Sequence, residues 1–325
     1  MIDVFVLVVT CLLTWWLASA YSPFQIHDAP NERSLHEHPT PRTGGLAILA
    51  GVTLGWCVLI IFGDGLSTTM FWIVFAALLV AAVSILDDIL ELSPFLRLGA
   101  HLLAAGLLVT AGISLSFAWI GGFISLFGLV WMLNLYNFMD GMDGFAGGMT
   151  VSGFGMMGLA AWLHGDIGFA NYSLIVCFSA LGFLVFNFPP ARIFMGDAGS
   201  ATLGLLAGAF ALWGVRDQMF PIWFPLLIFS PFIVDATVTL VRRGLRGEKV
   251  WQAHREHFYQ RLVRAGWGHR KTVLVEYGLM LLVGASALWL LHHQAWVFEV
   301  LAAWSIFYIG LMLLAERYTN RKRSV

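Results

Sequence analysis

The chain has 325 residues, of which 59% are hydrophobic and only 11% charged, with a formal net charge of −1 and a mean hydropathy of +0.81. Soluble domains carry about 25% charged residues, so the composition excludes an ordinary soluble protein and points to an integral membrane protein. Cys11, Cys57 and Cys177 are scattered through apolar runs; that placement speaks against a disulfide framework or a thiolate metal centre and suits small buried hydrophobes.

At roughly 17–25 apolar residues per crossing, the predicted spans in chain order are 2–20, 45–62, 69–86, 98–113, 117–136, 145–163, 169–187, 199–214, 220–240, 272–291 and 296–316. The first lacks the positively charged n-region of a signal peptide and reads as a transmembrane helix. The pattern predicts an all-α polytopic unit over 1–325 with about eleven transmembrane helices, no internal repeat, and one sizeable polar insertion at 241–271. Segments 21–44, 87–97, 137–144, 188–198, 241–271 and 317–325 fall on one side and hold 17 of the 18 lysines and arginines; the other side has Arg216. The positive-inside rule then puts that side in the cytoplasm, with the N-terminus outside and the C-terminus inside.

The unusual polar clusters all fall on this cytoplasmic side. The first loop, HDAPNERSLHEHPTPRTGG, contains Arg33, His36, His38, Arg42 and paired glycines; ILDDILEL follows with Asp87 and Asp88. NLYNFMDGMDGFAGG carries Asn134, Asn137, Asp140 and Asp143; FMGDAGS carries Phe194 and Asp197; WQAHREHFYQRL carries His254, Arg255, His257 and Arg261. Taken singly, a carboxylate at a membrane boundary has a bland reading, because it simply faces water. Five of them in short turns on one face suit Mg²⁺, a hard cation that keeps waters and binds a few carboxylates plus substrate phosphates. Glycines allow close backbone approach, GDAGS leads into a helix start suited to anions, and the arginines suit phosphates. These features predict a metal and a diphosphate meeting a lipid at the membrane face.

The ordered motifs DAPNERSLHEHPTPRTGG, Asp87–Asp88, NLYNFMDGMDG, FMGDAGS and HREHFYQRL resemble those of the polyprenyl-phosphate N-acetylhexosamine-1-phosphate transferases, relatives of phospho-N-acetylmuramoyl-pentapeptide transferase. The HxxH-plus-YQRL form is similar to the branch that initiates O-antigen and related lipopolysaccharide or surface-polysaccharide synthesis. The resemblance implies transfer of an N-acetylhexosamine 1-phosphate from a UDP-sugar to undecaprenyl phosphate, with release of UMP. It also implies an inner-membrane location, with Mg²⁺ as cofactor and Mn²⁺ able to substitute. Asp197, Asn137 and Asp88 are the implied metal ligands; Asp87 and Asp88 are expected near the metal and the lipid phosphate. Asp140 and Asp143 are expected to line the nucleotide pocket with Asn134, Asp143 toward the uracil edge and Phe194 stacked on its face. His254, His257, Arg255, Arg261 and Arg42 are expected to hold phosphates or sugar hydroxyls. Related enzymes suggest a homodimer; no nucleic-acid partner is expected. Arg97 and His101 stand where relatives often carry lysine and glutamine, a departure from the family pattern.

Two schemes fit these residues. In one, the lipid phosphate attacks the sugar-nucleotide β-phosphorus directly. In the other, an aspartate becomes covalently glycophosphorylated first. A zinc reading of the i, i+3 histidine pair lacks an HExxH motif or a nearby cysteine. A secondary transporter is the alternative from another class, yet it would place charges near the midplane and show related halves. The remaining features have structural readings. Most tryptophans and phenylalanines face lipid or pack, Arg242, Arg243, Arg246 and Lys249 set topology at anionic headgroups, and Glu299 is solvated.

Overall fold

The computed structural model describes residues 2–24, 26–28, 35, 39–63, 65–90, 92–250, 252 and 254–323; Arg33, His36 and His38 of the first loop lie outside the described residues. The chain is a bundle of α-helices with one minimal sheet. Helix α1 (Ile2–Ala18) leads to β1 (His27–Asp28), which pairs antiparallel with β2 (Thr40–Pro41). There follow α2 (Gly44–Phe62), α3 (Thr68–Leu90), α4 (Pro94–Thr110), α5 (Ala118–Met139), α6 (Phe145–His164), α7 (Ile167–Asn187) and α8 (Asp197–Arg216). The last part comprises α9 (Trp223–Ile228), α10 (Ser230–Leu245), α11 (Phe258–Leu262), α12 (Gly268–His292) and α13 (Val297–Arg323). Among the described residues, seven helical stretches are long and apolar enough to cross a bilayer, while α1 and α4 are apolar but shorter.

The expected single span 220–240 is instead two helices, α9 and α10, meeting at Phe229. Ser230 and Pro231 explain the break, since proline supplies no N–H to the preceding turn and restricts the residue before it. The insertion at 241–271 is likewise partly helical, because α10 runs on to Leu245 and α11 lies within it.

Helix α8 forms the core. It packs against α2, α3, α5 and α6, and its span is 89% buried, against 11% for α13 at the periphery. Its sequence explains this, because small residues let neighbouring backbones approach without a hydrophobic drive between helices. A Cβ on Gly45 of α2 would fall 2.5 Å from the Gly199 Cα of α8. This close crossing places the start of α2 against the start of α8, where the polar motifs meet.

Candidate functional site

The tail of the first loop is stitched to the FMGDAGS segment by main-chain bonds. Phe194 N donates to Pro41 O (2.7 Å), Gly44 N to Phe194 O (2.9 Å) and Gly45 N to Met195 O (2.8 Å). Gly196 turns the chain into α8 with φ +75°, and a Cβ there would strike the Arg42 carbonyl, so only glycine serves. Arg42 is thereby set against the end of α3, where its Nη2 donates to Asp88 O (2.9 Å) and its Nη1 lies 3.5 Å from Asp88 Oδ1.

Asp88 in turn accepts from Ala198 N in the first turn of α8, a position favoured by the helix dipole. Arg97 Nη1 reaches across from α4 to Asp87 Oδ2 (3.0 Å) and Asp197 Oδ2 (3.6 Å). Asn137, at the end of α5, lies against Asp197 and accepts from Ser200 Oγ (3.3 Å). Three helix ends, the α4 arginine and the first loop thus converge on Asp87, Asp88, Asn137 and Asp197.

Members of this cluster differ in what they leave open. Asp87 is closed, with Oδ1 accepting from Leu92 N (2.8 Å) and Oδ2 from Arg97, and its side chain is 9% exposed. The Asp197 side chain is 35% exposed, so it is the accessible carboxylate. The Asp140 carboxyl makes no hydrogen bond or ion pair among the described residues; burial, then the charges of Asp197 and Asp143, hold it well above the ordinary range. Asn134 does not join them, because its amide turns back one helical turn to Val130 O (2.7 Å).

Asp143 has both oxygens engaged. Oδ2 accepts from Ala191 N (3.0 Å), and Oδ1 lies 3.0 Å from His269 Nδ1, whose Nε2 is 3.2 Å from Leu35 O. Asp143 thus joins the 140–144 turn to α12 and the first loop. Phe194 is partly buried beside the cluster. Sequence reading passed over His269, since nothing in AGWGHR marks the histidine as turned inward.

The histidine segment forms a second group. Asp235, inside α10, accepts from His257 Nδ1 (3.2 Å), Phe258 N (3.0 Å), Thr239 Oγ1 (3.1 Å) and Tyr259 N (3.1 Å). Tyr259 then donates to Phe138 O (3.2 Å), resting α11 on the turn that carries Asp140. Asp235 was absorbed into an apolar span; the available signal was that a lone carboxylate in such a span is costly. His254, Arg255 and Arg261 line a cavity of about 550 Å³ together with Arg246, Arg264 and Glu316, whereas His257 is turned inward. Arg261 Nη2 also donates to Thr319 Oγ1 (2.7 Å) on α13, and its guanidinium covers the Phe258 ring. Burial, then the proximity of His257 and Arg243, pushes His254 down to about 4. Arg243 is not a headgroup contact: it is buried and braces the loop through Glu248 Oε2 (2.8 Å), Gln252 O (3.1 Å) and Lys249 O (3.4 Å).

Comparison with known proteins gives the family. The model of glycosyl transferase family 4 matches residues 70–215. The chain is 31% identical over 301 residues to a probable undecaprenyl-phosphate N-acetylglucosaminyl 1-phosphate transferase of Bacillus subtilis (strain 168), covering 88% of this chain and 81% of that protein. It is 32% identical to a decaprenyl-phosphate N-acetylglucosaminephosphotransferase of Mycolicibacterium smegmatis, covering 83% and 76% of the two chains. A phospho-N-acetylmuramoyl-pentapeptide-transferase of Staphylococcus saprophyticus is 32% identical over 158 residues, 48% of each chain. On this similarity over most of its length, the chain belongs to glycosyl transferase family 4, the family of the polyprenyl-phosphate sugar-1-phosphate transferases.

Proposed function

We propose that the protein transfers an N-acetylhexosamine 1-phosphate from its UDP-sugar to undecaprenyl phosphate, releasing UMP, as the first step of O-antigen-type polysaccharide assembly. In this reading it crosses the bacterial inner membrane about eleven times, with the carboxylate end in the cytoplasm, where the lysines and arginines concentrate. The observation that carries it is the convergence of Asp88, Asn137, Asp140 and Asp197 with Arg42 and Arg97 at one end of the bundle. A diphosphate and a hard cation need this combination of acidic oxygens and guanidinium groups.

The donor set fits Mg²⁺. Among the described residues no three His, Cys, Asp or Glu side chains form a ready-made metal site. The ion would therefore be held by Asp197 with Asn137 or Asp88, completed by water and phosphates, which is the usual manner for this cation. When bound, it neutralises charge developing on the diphosphate, and Mn²⁺ would serve similarly.

The protein's own residues orient and hold. Arg42 and Arg97 bracket the carboxylates and would grip phosphates, while the Asp140 carboxyl, without a partner among the described residues, and Phe194 would line the nucleotide pocket. A lipid phosphate oxygen forms a bond to the β-phosphorus as the bond from that phosphorus to the bridging oxygen breaks, and UMP leaves with the electron pair. A phosphate monoester has a second pKa of about 6, so the attacking group is largely dianionic near neutrality and needs no base. The double engagement of Asp87 favours this direct scheme over one in which Asp87 removes a proton.

The test is UMP release by the purified protein, expected only when a UDP-N-acetylhexosamine, undecaprenyl phosphate and Mg²⁺ are all present. A panel of UDP-sugars would then identify the one used. Labelled phosphosugar retained on the protein without lipid acceptor would overturn the direct scheme. Solute uptake into vesicles without UMP release would favour a transporter.

A further inference from the structure

The two histidines of the HxxH segment have unlike surroundings. His254 lines the cavity with Arg255 and Arg261. Its Nδ1 accepts from Glu256 N (3.2 Å), so in the neutral ring the proton is on Nε2, which is then a donor. His257 faces the interior with 3% of its side chain exposed and its Nδ1 tied to Asp235. Its ring lies against those of Phe138 (6.5 Å between centroids, 26°) and Tyr259 (5.8 Å, 17°), and the His254 ring lies 4.8 Å from it at 34°.

Asp235 fixes this group of rings at its base. One carboxylate, buried in α10, receives the His257 ring and the backbone N–H groups of Phe258 and Tyr259. At the same place the Gln260 side chain accepts from His257 N (3.3 Å). A carboxylate that orients an imidazole through Nδ1 sets both its ring plane and its tautomer. Here that ring is the floor on which the next histidine rests.

We propose that Asp235 is a positioning residue that acts through His257 to hold the 254–261 segment, so that His254, and not His257, is the imidazole presented to the phosphosugar. The inference rests on the transferase reading above. It divides a motif whose histidines look equivalent: His254 binds, while Asp235 and His257 support. The expected ligand chemistry is an anionic phosphate or a sugar oxygen, because Nε2–H of His254 and the neighbouring guanidinium groups are donors.

Two measurements on the full-length protein test this. The first is chemical footprinting with diethyl pyrocarbonate, read by mass spectrometry and independent of any turnover. His254 should be modified readily and His257 protected in the unaltered protein, with His257 becoming reactive in Asp235→Asn. The second is a double-mutant cycle in the UMP-release assay. His254→Gln and Asp235→Asn should each lower kcat/KM for the UDP-sugar by roughly tenfold to a hundredfold, the range seen when an imidazole loses its supporting partner. The loss should fall mainly on KM, and the double variant should be no worse than the more affected single one. An Asp235→Asn loss that persists undiminished in the His254→Gln background would overturn the proposal, as would full activity in either single variant. Should Asp235→Asn fail to fold, footprinting of the unaltered protein and the same cycle with His257→Gln decide it. Equal modification of the two histidines would refute it. Absence of all UMP release, with His257 still protected, would instead sink the transferase reading.

Discussion

The two ends of α8 lie about 30 Å apart for a helix of this length, and they treat charge in opposite ways. At its start, Asp197 joins Asp87, Asp88 and Asp140 around Arg42 and Arg97, with Asp197 partly open and the Asp140 carboxyl unpaired among the described residues. At its end, Arg216 donates to both oxygens of Asp217 (2.6 and 3.0 Å) and to Thr69 Oγ1 (3.1 Å), while Trp213 Nε1 also donates to Asp217 (2.8 Å). Burial would raise the Asp217 carboxyl, but the Arg216 and Trp213 bonds outweigh it and hold the group below its ordinary range. A polar group that serves the fold closes on partners from its own chain. One that serves binding keeps acceptors open, because unsatisfied charge is what a ligand completes.

The largest expected effect lies at the open end. Asp197→Asn should reduce UMP release by about two to three orders of magnitude, the several kcal/mol attributable to a bound metal's charge stabilisation. Size-exclusion elution and thermal unfolding should stay near those of the unaltered protein. Near-normal turnover in this variant would remove Asp197 from the metal site and break the contrast.

A smaller effect should appear in pH dependence, and it sharpens the contrast at the cavity. His254 has a folded pKa of about 4 against about 6.5 in an unfolded chain. Between these values the unfolded state binds more protons, so stability should fall as pH drops through this window. A bound anion should raise the folded value, so UDP-sugar binding should take up a proton and tighten as pH falls from about 6.5 toward 4, by about severalfold. Calorimetry in two buffers of different ionisation enthalpy measures that uptake; an unchanged signal in His254→Gln would exclude His254 as its source.

The smallest effect on catalysis belongs to the closed end. Arg216→Ala should leave kcat and KM unchanged while lowering stability by about 1 kcal/mol, a modest loss because the pair is partly solvated. A thermal midpoint in detergent reports it. A change in kcat larger than the change in stability would mean that the two ends communicate through α8.

Much of the site was legible from residue order, for reasons specific to these motifs. Asp87–Asp88, NFMDGMD and FMGDAGS stand out because carboxylates and glycines interrupt hydrocarbon runs at helix ends, where a charge is costly enough to require a reason. Asp235 and His269 escaped notice because their roles depend on partners far along the chain. Asp235 meets residues 22 to 24 positions away, and His269 meets Asp143 at a separation of 126. Asp143 was legible as a polar residue but not as an engaged one, since occupancy of its lone pairs depends on which N–H groups the fold brings near.

By itself, the sequence determined the membrane class, the helical character and the end of the bundle at which acidic and basic groups collect. Bilayer thickness and the cost of unpaired backbone groups constrain span length and secondary structure locally. Only the tertiary structure decided that α9 and α10 are separate helices, that Arg97 bridges Asp87 and Asp197, and that His254 faces the cavity while His257 faces inward. Those outcomes depend on how glycine-lined helices cross and on which donor reaches each carboxylate first, quantities that arise between distant segments.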